Sequence, residues 1–219
     1  SYEALDLESV ETPMTIVDLQ MGVWPQKAPN KPEKFSVRFK KGYPVEINGR
    51  KVDSVSAMQI ANKIGGRNGI GVKNALENRI IGTKSRGVYE APGMELLSAC
   101  LQQVYCATLD RTSTDLFKQL SRLVACQVYG ARYFDPATTA AMAAINTFAE
   151  HADGLVTVEL YKGNIHFQSL RNCQASLYNE ADSSMEATKG LNPRSSQGYV
   201  EIQGVEARSL AKAGQIRKQ

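Results

Sequence analysis

The segment from Glu77 to Gly93, with the sequence ENRIIGTKSRGVYEAPG, concentrates carboxylates, cations, a phenol and glycines in one short stretch. Burying an unpaired charge is costly, so such a stretch is either a solvated loop or a functional site. We expect the apolar Ile80 and Ile81 to anchor one side, and a helix beginning at Pro92 to anchor the other. Polar groups held between rigid elements favour the site interpretation.

Each candidate residue also has a purely structural explanation. Glu77 is presented by the end of a strand or helix, and a lone surface carboxylate there would pair with Arg79. Lys84 and Arg86 are either solvated cations or an anion-binding pair, in which Arg supplies a planar fork and Lys a point charge. Tyr89 is an amphipathic phenol that often simply packs half-buried. Taken singly, each residue favours the structural explanation, whereas their combination in one segment favours a site.

Other segments with functional residue types are weaker candidates. The sequence GGRNGIG at residues 65–71 has no preceding strand and no following GK[ST], so it predicts a flexible loop with glycines at positive φ. The cysteine spacings match no zinc pattern and the chain has 2 histidines, so we predict no metal site. Cys100, Cys106 and Cys126 lie in helical apolar stretches and are expected to be buried thiols in a reducing compartment.

The composition is that of a globular protein. The chain has 219 residues, of which 42% are hydrophobic and 22% charged, with a formal net charge of +4. The cations are spread along the chain, which disfavours a nucleic-acid partner. No apolar run is long enough to cross a bilayer, and the first residues do not resemble a signal peptide. We therefore expect a cytoplasmic protein with neither a nucleic-acid nor a membrane partner.

The elements that position the site predict an α+β fold, with a mixed antiparallel sheet packed against several helices and an extended C-terminal helix. Residues 8–34 contain four prolines and predict an extended segment. Period-two alternation predicts strands in KFSVRFKKGYPVEING, with turns at Gly42 and Asn48-Gly49. It also predicts a hairpin from Gly154 onward, turning at Lys162-Gly163.

Helical periodicity predicts helices over about residues 54–65 and 112–130 and from Pro92 onward. A further helix is predicted to open at Asp135-Pro136 with Asp135 as its cap and to reach about residue 151. Short strands are predicted at residues 184–186 and 199–202, and a weak helix is predicted from Val205 to Ile216.

The segment LENRIIGTKSRGVYEAPG resembles the signature of argininosuccinate synthase. The resemblance continues, in the same order, through the opening SYEA, GGRNGIG, YKGNI and SLYNE. It covers nearly the whole chain but only the C-terminal half of that enzyme, because the SGGLDT-type ATP loop of the other half does not occur in these 219 residues. The resemblance implies a synthetase and multimerisation domain over residues 1–204 and a C-terminal oligomerisation helix or tail over residues 205–219, with the ATP-binding domain absent.

The resemblance also implies a reaction and a set of ligand-binding residues. Citrulline and aspartate would be joined at the expense of ATP, giving argininosuccinate, AMP and pyrophosphate. Ser1, Glu77 and Tyr89 match citrulline-binding positions, no residue is assigned as a catalytic acid or base, and Lys84 and Arg86 are candidates for anion support. ATP with magnesium would be bound mainly by the missing domain and not by this chain alone. The assembly implied is a homotetramer to which the C-terminal helix contributes.

Two interpretations remain open. The chain is either the substrate-binding and oligomerising half of the enzyme, or a non-catalytic oligomerisation module that needs a separate nucleotide-binding partner. In both, we expect the chain alone not to turn over, because the nucleotide loop is missing. A nucleic-acid binder would rest on the mild basicity alone.

Overall fold

The structure, a computed structural model, describes residues 1–3, 5–184, 190 and 192–216. The chain divides into two compact units, residues 1–177 and residues 178–219. The α+β fold predicted from the sequence is confirmed. Its strands are β1 (Glu33–Lys40), β2 (Tyr43–Ile47), β3 (Arg50–Lys51), β4 (Val72–Asn78), β5 (Lys84–Glu90), β6 (Gly154–Tyr161) and β7 (Asn164–Arg171).

The larger sheet of the first unit has the strand order β3-β2-β1-β6-β7 and is antiparallel throughout. The predicted alternation along β1 is confirmed, because Phe35, Val37 and Phe39 are all buried on one face of the strand. The turns at Gly42 and at Asn48-Gly49 are also confirmed, since Gly42, Asn48 and Gly49 adopt positive φ values of 78°, 49° and 81°. Strands β4 and β5 form a separate two-stranded sheet.

Two helices cover the larger sheet and supply the rest of its core. The second and third helices pack against each other and against the sheet, and bury Ala57, Ala61, Leu96 and Val104 completely. Apolar burial of this kind is the main favourable term in folding. The helices are α1 (Leu5–Glu8), α2 (Ser54–Arg67), α3 (Pro92–Thr108), α4 (Arg111–Tyr129), α5 (Pro136–Ala149), α6 (Glu180–Ser183) and α7 (Ser195–Lys212).

Asp53 and Asp110 cap α2 and α4, because their side chains accept the backbone amides of Ser56 and Ser113. Pro136 occupies the first turn of α5 as predicted. Asp135 is the N-cap residue of α5 as predicted, but its side chain makes no capping hydrogen bond; its carboxylate instead accepts a hydrogen bond from the Arg132 guanidinium at 2.7 Å.

The glycine pair Gly65-Gly66 does not end α2, which continues to Arg67. These glycines allow other backbone segments to pass close to the helix, and they do not form a turn. A Cβ on Gly66 would lie 2.1 Å from the carbonyl oxygen of Met21, and the Val23 amide donates to the Gly66 carbonyl at 3.0 Å. The predicted positive φ is confirmed downstream, at Gly69 (73°) and Gly71 (80°).

Two of the expected buried thiols are not buried. Cys100 lies in the core, and burial raises the pKa of its thiol to about 12. Cys106 and Cys126 are exposed. Cys126 belongs to α4, in which no residue is buried among those described, because this helix packs mainly on α5 rather than on the sheet.

In the second unit, residues 199–202 lie inside α7, so the strand predicted there is wrong. The preference of four residues for a strand is weak and depends on context, and here they are part of a helix of 18 residues. The helix predicted from Val205 begins ten residues earlier, at Ser195. Of the strand predicted at residues 184–186, Ser184 is not in a strand and the other two lie outside the described residues. Within the described part of the chain, no helix is sufficiently long and apolar to span a bilayer.

Candidate functional site

The polar segment singled out from the sequence is a β-hairpin made of β4 and β5. Glu77 pairs with Ser85 across the two strands, and Lys73 pairs with Tyr89. The expectation that a strand end presents Glu77 is confirmed. The expected anchoring role of Ile80 and Ile81 is wrong, because these side chains lie in the turn and are 72% and 79% exposed.

The register divides the predicted site residues into two pairs. Successive side chains of a strand point to opposite faces, and directly paired residues share a face. Glu77 and Tyr89 therefore lie on one face of the hairpin, whereas Lys84 and Arg86 lie on the other. The structure brings the first two together and separates them from the two cations.

Glu77 and Tyr89 are joined directly. The Tyr89 hydroxyl donates to Oε1 of Glu77 at 2.8 Å. This hydrogen bond, burial and the negative charge of Glu77 together raise the pKa of Tyr89 to about 12. The phenol is therefore a neutral donor near neutral pH. An ionised carboxylate has further acceptor positions after accepting one phenol, so the pair can still receive an ammonium group.

Glu77 does not form the surface ion pair considered from the sequence. The guanidinium of Arg79 instead lies 3.4 Å from Oε2 of Glu3. The partner of Glu77 is thus the phenol of Tyr89 and not the cation of Arg79 that the purely structural explanation required.

Ser1 is held beside Tyr89 by the next residue in the chain, Tyr2. Tyr2 forms an antiparallel bridge with Val88, in which each backbone amide donates to the carbonyl of the other, at 2.8 and 3.0 Å. In an antiparallel bridge the residue before one partner neighbours the residue after the other. Ser1 and Tyr89 are those two flanking residues, so the backbone of Ser1 neighbours that of Tyr89.

A second polar cluster, centred on Glu90, holds the N-terminal segment against β5. The sequence analysis did not identify it. The Tyr2 phenol donates to the carboxylate of Glu90, which also accepts the backbone amides of Gln20 at 2.8 Å and Met21 at 3.0 Å. Burial raises the pKa of the Tyr2 phenol, and its bond to Glu90 raises it further. The sequence did contain a signal for this cluster. Successive side chains of a strand point to opposite faces, so Glu90, which follows Tyr89, must lie on the face opposite Tyr89.

Burial by itself would raise the pKa of Glu90. The hydrogen bonds from Tyr2 and from the amides of Gln20, Met21 and Gly22 outweigh burial and hold the pKa of Glu90 below its ordinary value. Glu90 is therefore an ionised anchor that ties the segment following α1 to the end of β5.

Arg86 also holds the N-terminal segment against the hairpin, on the face opposite Glu77. Its guanidinium donates to the carbonyls of Ser9 at 2.5 Å and Thr12 at 2.7 Å and to Oδ1 of Asn74 at 2.8 Å. Beside it, the fully buried Val88 packs with Leu7, Val17 and Trp24 in a small apolar cluster. These contacts join the N-terminal segment to the hairpin. Anion support by Lys84 and Arg86 stays a prediction.

A cleft of about 510 Å³ lies beside the hairpin turn, and Glu77 and Tyr89 are not among its lining residues. Both Glu77 and Tyr89 are partly buried. The lining residues are Glu3, Glu8, Val10, Leu76, Arg79, Lys84, Ser85 and Arg86.

The glycine-rich segment 65–71 does not fit a nucleotide phosphate. Besides the Met21 carbonyl at Gly66, the backbone of Pro25 lies 2.8 Å from a Cβ placed on Gly69, and that of Pro92 lies 2.6 Å from one on Gly71. Protein backbone thus already fills the space in which a phosphate loop would hold its ligand. Among the described residues, no group of three or more His, Cys, Asp or Glu side chains is placed to hold a metal ion.

The class of protein defined by this fold is an α+β domain carrying an added β-hairpin, on which a carboxylate and a phenol meet. The family model described as arginosuccinate synthase C-terminal domain matches residues 1–210. The chain belongs to this family.

Curated relatives agree with the family match. The chain is 40% identical over 209 residues to argininosuccinate synthase of Rhodopirellula baltica, covering 95% of this chain and 52% of the relative. It is 35% identical over 220 residues to the synthase of Lachnoclostridium phytofermentans, covering 100% and 54%. For the chloroplastic synthase of Arabidopsis thaliana, the identity is 36% over 185 residues, covering 84% and 37%. The chain spans about half the length of the first two relatives.

Proposed function

We propose that this chain supplies the citrulline-binding half of an ATP-dependent carbon–nitrogen ligase that makes argininosuccinate. The observation that carries the proposal is the hydrogen bond of 2.8 Å between Tyr89 and Glu77 in a chain of this family, with the backbone of Ser1 next to that of Tyr89. In the proposed reaction, the ureido oxygen of citrulline attacks the α-phosphorus of ATP and pyrophosphate leaves. The amine of aspartate then displaces AMP from the citrullyl adenylate.

The residues of this chain bind and orient the substrate in this proposal. The carboxylate of Glu77 pairs with the α-ammonium group of citrulline, while the hydroxyls of Tyr89 and Ser1 bond its polar ends. None of them acts as a general acid or base, because adenylyl chemistry of this kind depends on alignment and on stabilisation of the phosphate charge. Of the two cations, Lys84 is the better candidate for anion support, since Arg86 already donates to three oxygen atoms.

The partial burial of the pair supports a site shared with a second domain. A ligand held on one face of a two-stranded hairpin remains largely solvated, whereas substrate sites normally bury most of their ligand. We propose that the ATP-binding domain, which would hold ATP with magnesium, supplies the opposite wall. The same reasoning predicts that the chain alone does not turn over.

The second unit supports a role in assembly. Helix α7 has no buried residue among those described, although it carries Tyr199, Val200, Ile202 and Val205, each more than half exposed. Apolar side chains at this density are normally covered by a partner. We propose that other subunits of a homotetramer cover them.

The test compares the chain alone with a chimera in which it follows the N-terminal part of the Rhodopirellula baltica relative that it does not span. Pyrophosphate release is measured with ATP, citrulline and aspartate. We expect release from the chimera and none from the chain alone. Turnover by the chain alone would contradict the shared site. A folded chimera that binds ATP but releases no pyrophosphate would favour the alternative, an oligomerisation module without a substrate site.

A further inference from the structure

The side chain of Tyr89 reaches Glu77 by lying along its own strand, over Gly87. Tyr89 is paired with Lys73, which lies four residues before Glu77 on β4, so the side chains of Tyr89 and Glu77 must extend toward each other along the hairpin to meet. The residue beneath the ring is Gly87, which lies two positions earlier on β5 and shares the same face. The phenol therefore lies over a position that has no side chain.

The space above Gly87 is filled by this ring. A Cβ built on Gly87 would lie 2.9 Å from Cε2, 3.2 Å from Cζ and 3.3 Å from the hydroxyl oxygen of Tyr89. These are its three nearest neighbours, and all of them belong to the far end of one side chain. A methyl group at this position would therefore displace the ring rather than the backbone.

We propose that Gly87 is a positioning residue for the citrulline site, where the lack of a side chain allows the Tyr89 phenol to lie across β5 and bond Glu77. This inference rests on the proposed function for its link to citrulline. The packing of the Tyr89 ring over Gly87 is observed independently of that function.

The backbone offers no other reason for a glycine here. Gly87 is not among the residues with positive φ, so its conformation is one that alanine adopts without strain. A glycine inside a strand weakens it, because it gives up packing and gains unfolded-state entropy. The strand therefore forgoes stability at a buried position, and the close contact with Tyr89 is the feature of the structure that requires it.

The test uses Gly87→Ala in the full chain, with tyrosines labelled at ¹³Cζ for NMR. Tyr89→Phe assigns the Tyr89 signal. The matched control is Ala75→Gly, which changes the residue directly opposite Gly87 and weakens the strand but leaves the space above Gly87 open. Circular dichroism at each pH reports whether the fold is retained.

In the unchanged chain and in Ala75→Gly, we expect the Tyr89 signal to stay in its neutral form up to about pH 11, since the pKa of Tyr89 is raised to about 12. In Gly87→Ala we expect it to titrate near the ordinary value of 10.0. A Tyr89 signal in folded Gly87→Ala that stays neutral to the same pH would overturn the inference.

Citrulline binding, measured in the chimera, separates this inference from the proposed function. If Gly87 acts through Tyr89, Gly87→Ala weakens binding, and the double variant with Tyr89→Phe binds no more weakly than Tyr89→Phe alone. Additive losses would overturn the inference. An early titration of Tyr89 in Gly87→Ala together with unchanged citrulline affinity in both single variants would uphold the positioning by Gly87 and refute the citrulline role of Tyr89.

Discussion

Replacing Glu77 by Gln tests the central contact of the site with little change in shape. The amide oxygen of Gln can still accept the Tyr89 hydroxyl, which now lies 2.8 Å from Oε1 of Glu77. The negative charge that would pair with the α-ammonium group of citrulline is removed. The substitution therefore separates the charge of Glu77 from its geometry.

The expected magnitude follows from the kind of hydrogen bond that is lost. A bond involving a charged group contributes about 1.5–3 kcal/mol, against about 0.5–1.5 kcal/mol for a neutral one. Loss of the charged contact to citrulline should weaken binding by about 1.5–3 kcal/mol, or about 10- to 150-fold in Kd. The free energy of unfolding should fall by only about 1 kcal/mol, because the neutral bond to Tyr89 persists.

Citrulline affinity is measured by calorimetry in the chimera, and unfolding by denaturant titration of the chain. Glu95→Gln is the matched control, because it removes the same charge from an exposed ion pair with Lys73 at 2.5 Å without touching Tyr89. We expect the control to leave citrulline binding unchanged. An unchanged affinity in Glu77→Gln would refute the reasoning and return Glu77 to the role of a surface carboxylate.

Two further predictions concern the packing behind the site. Arg86→Lys keeps the charge but loses the planar fork that reaches Ser9, Thr12 and Asn74, so denaturant titration should show the free energy of unfolding fall by about 1–3 kcal/mol. In the control Lys84→Met it should change by no more than about 0.5 kcal/mol. Equal losses in the two variants would contradict the structural role of Arg86. The pKa of Glu90 lies below its ordinary value of 4.5, so its contribution to stability is fully present above that pH and is lost as the pH falls through the folded-state pKa. Glu90→Gln should flatten the dependence of unfolding free energy on pH in that acidic range, and an unchanged slope would show that Glu90 is not the anchor.

Much of the fold followed from local patterns. The alternation of Phe35, Val37 and Phe39 identified a strand buried on one face, since a side-chain period of two leaves no other way to bury all three. The start of α5 at Pro136 was likewise readable, because proline fits the first turn of a helix.

The site itself was only partly readable. Its residues were found in one segment, but the sequence predicted no hairpin there, and so it did not show that Glu77 and Tyr89 lie on the opposite face from Lys84 and Arg86. That separation depends on strand register, and register depends on where the turn falls. Ile80 and Ile81 were misjudged for a related reason, because hydrophobicity alone does not say whether a covering surface is present.

The sequence by itself determined the family, the α+β class and the periodicity of its strands and helices, all of which depend on residues close together in the chain. Tertiary structure alone decided that Arg86 binds carbonyls more than seventy residues away, that Glu90 anchors the amides of Gln20 and Met21, and that the Tyr89 ring lies over Gly87. Such contacts depend on the three-dimensional path of the backbone, and a local pattern carries no record of that path.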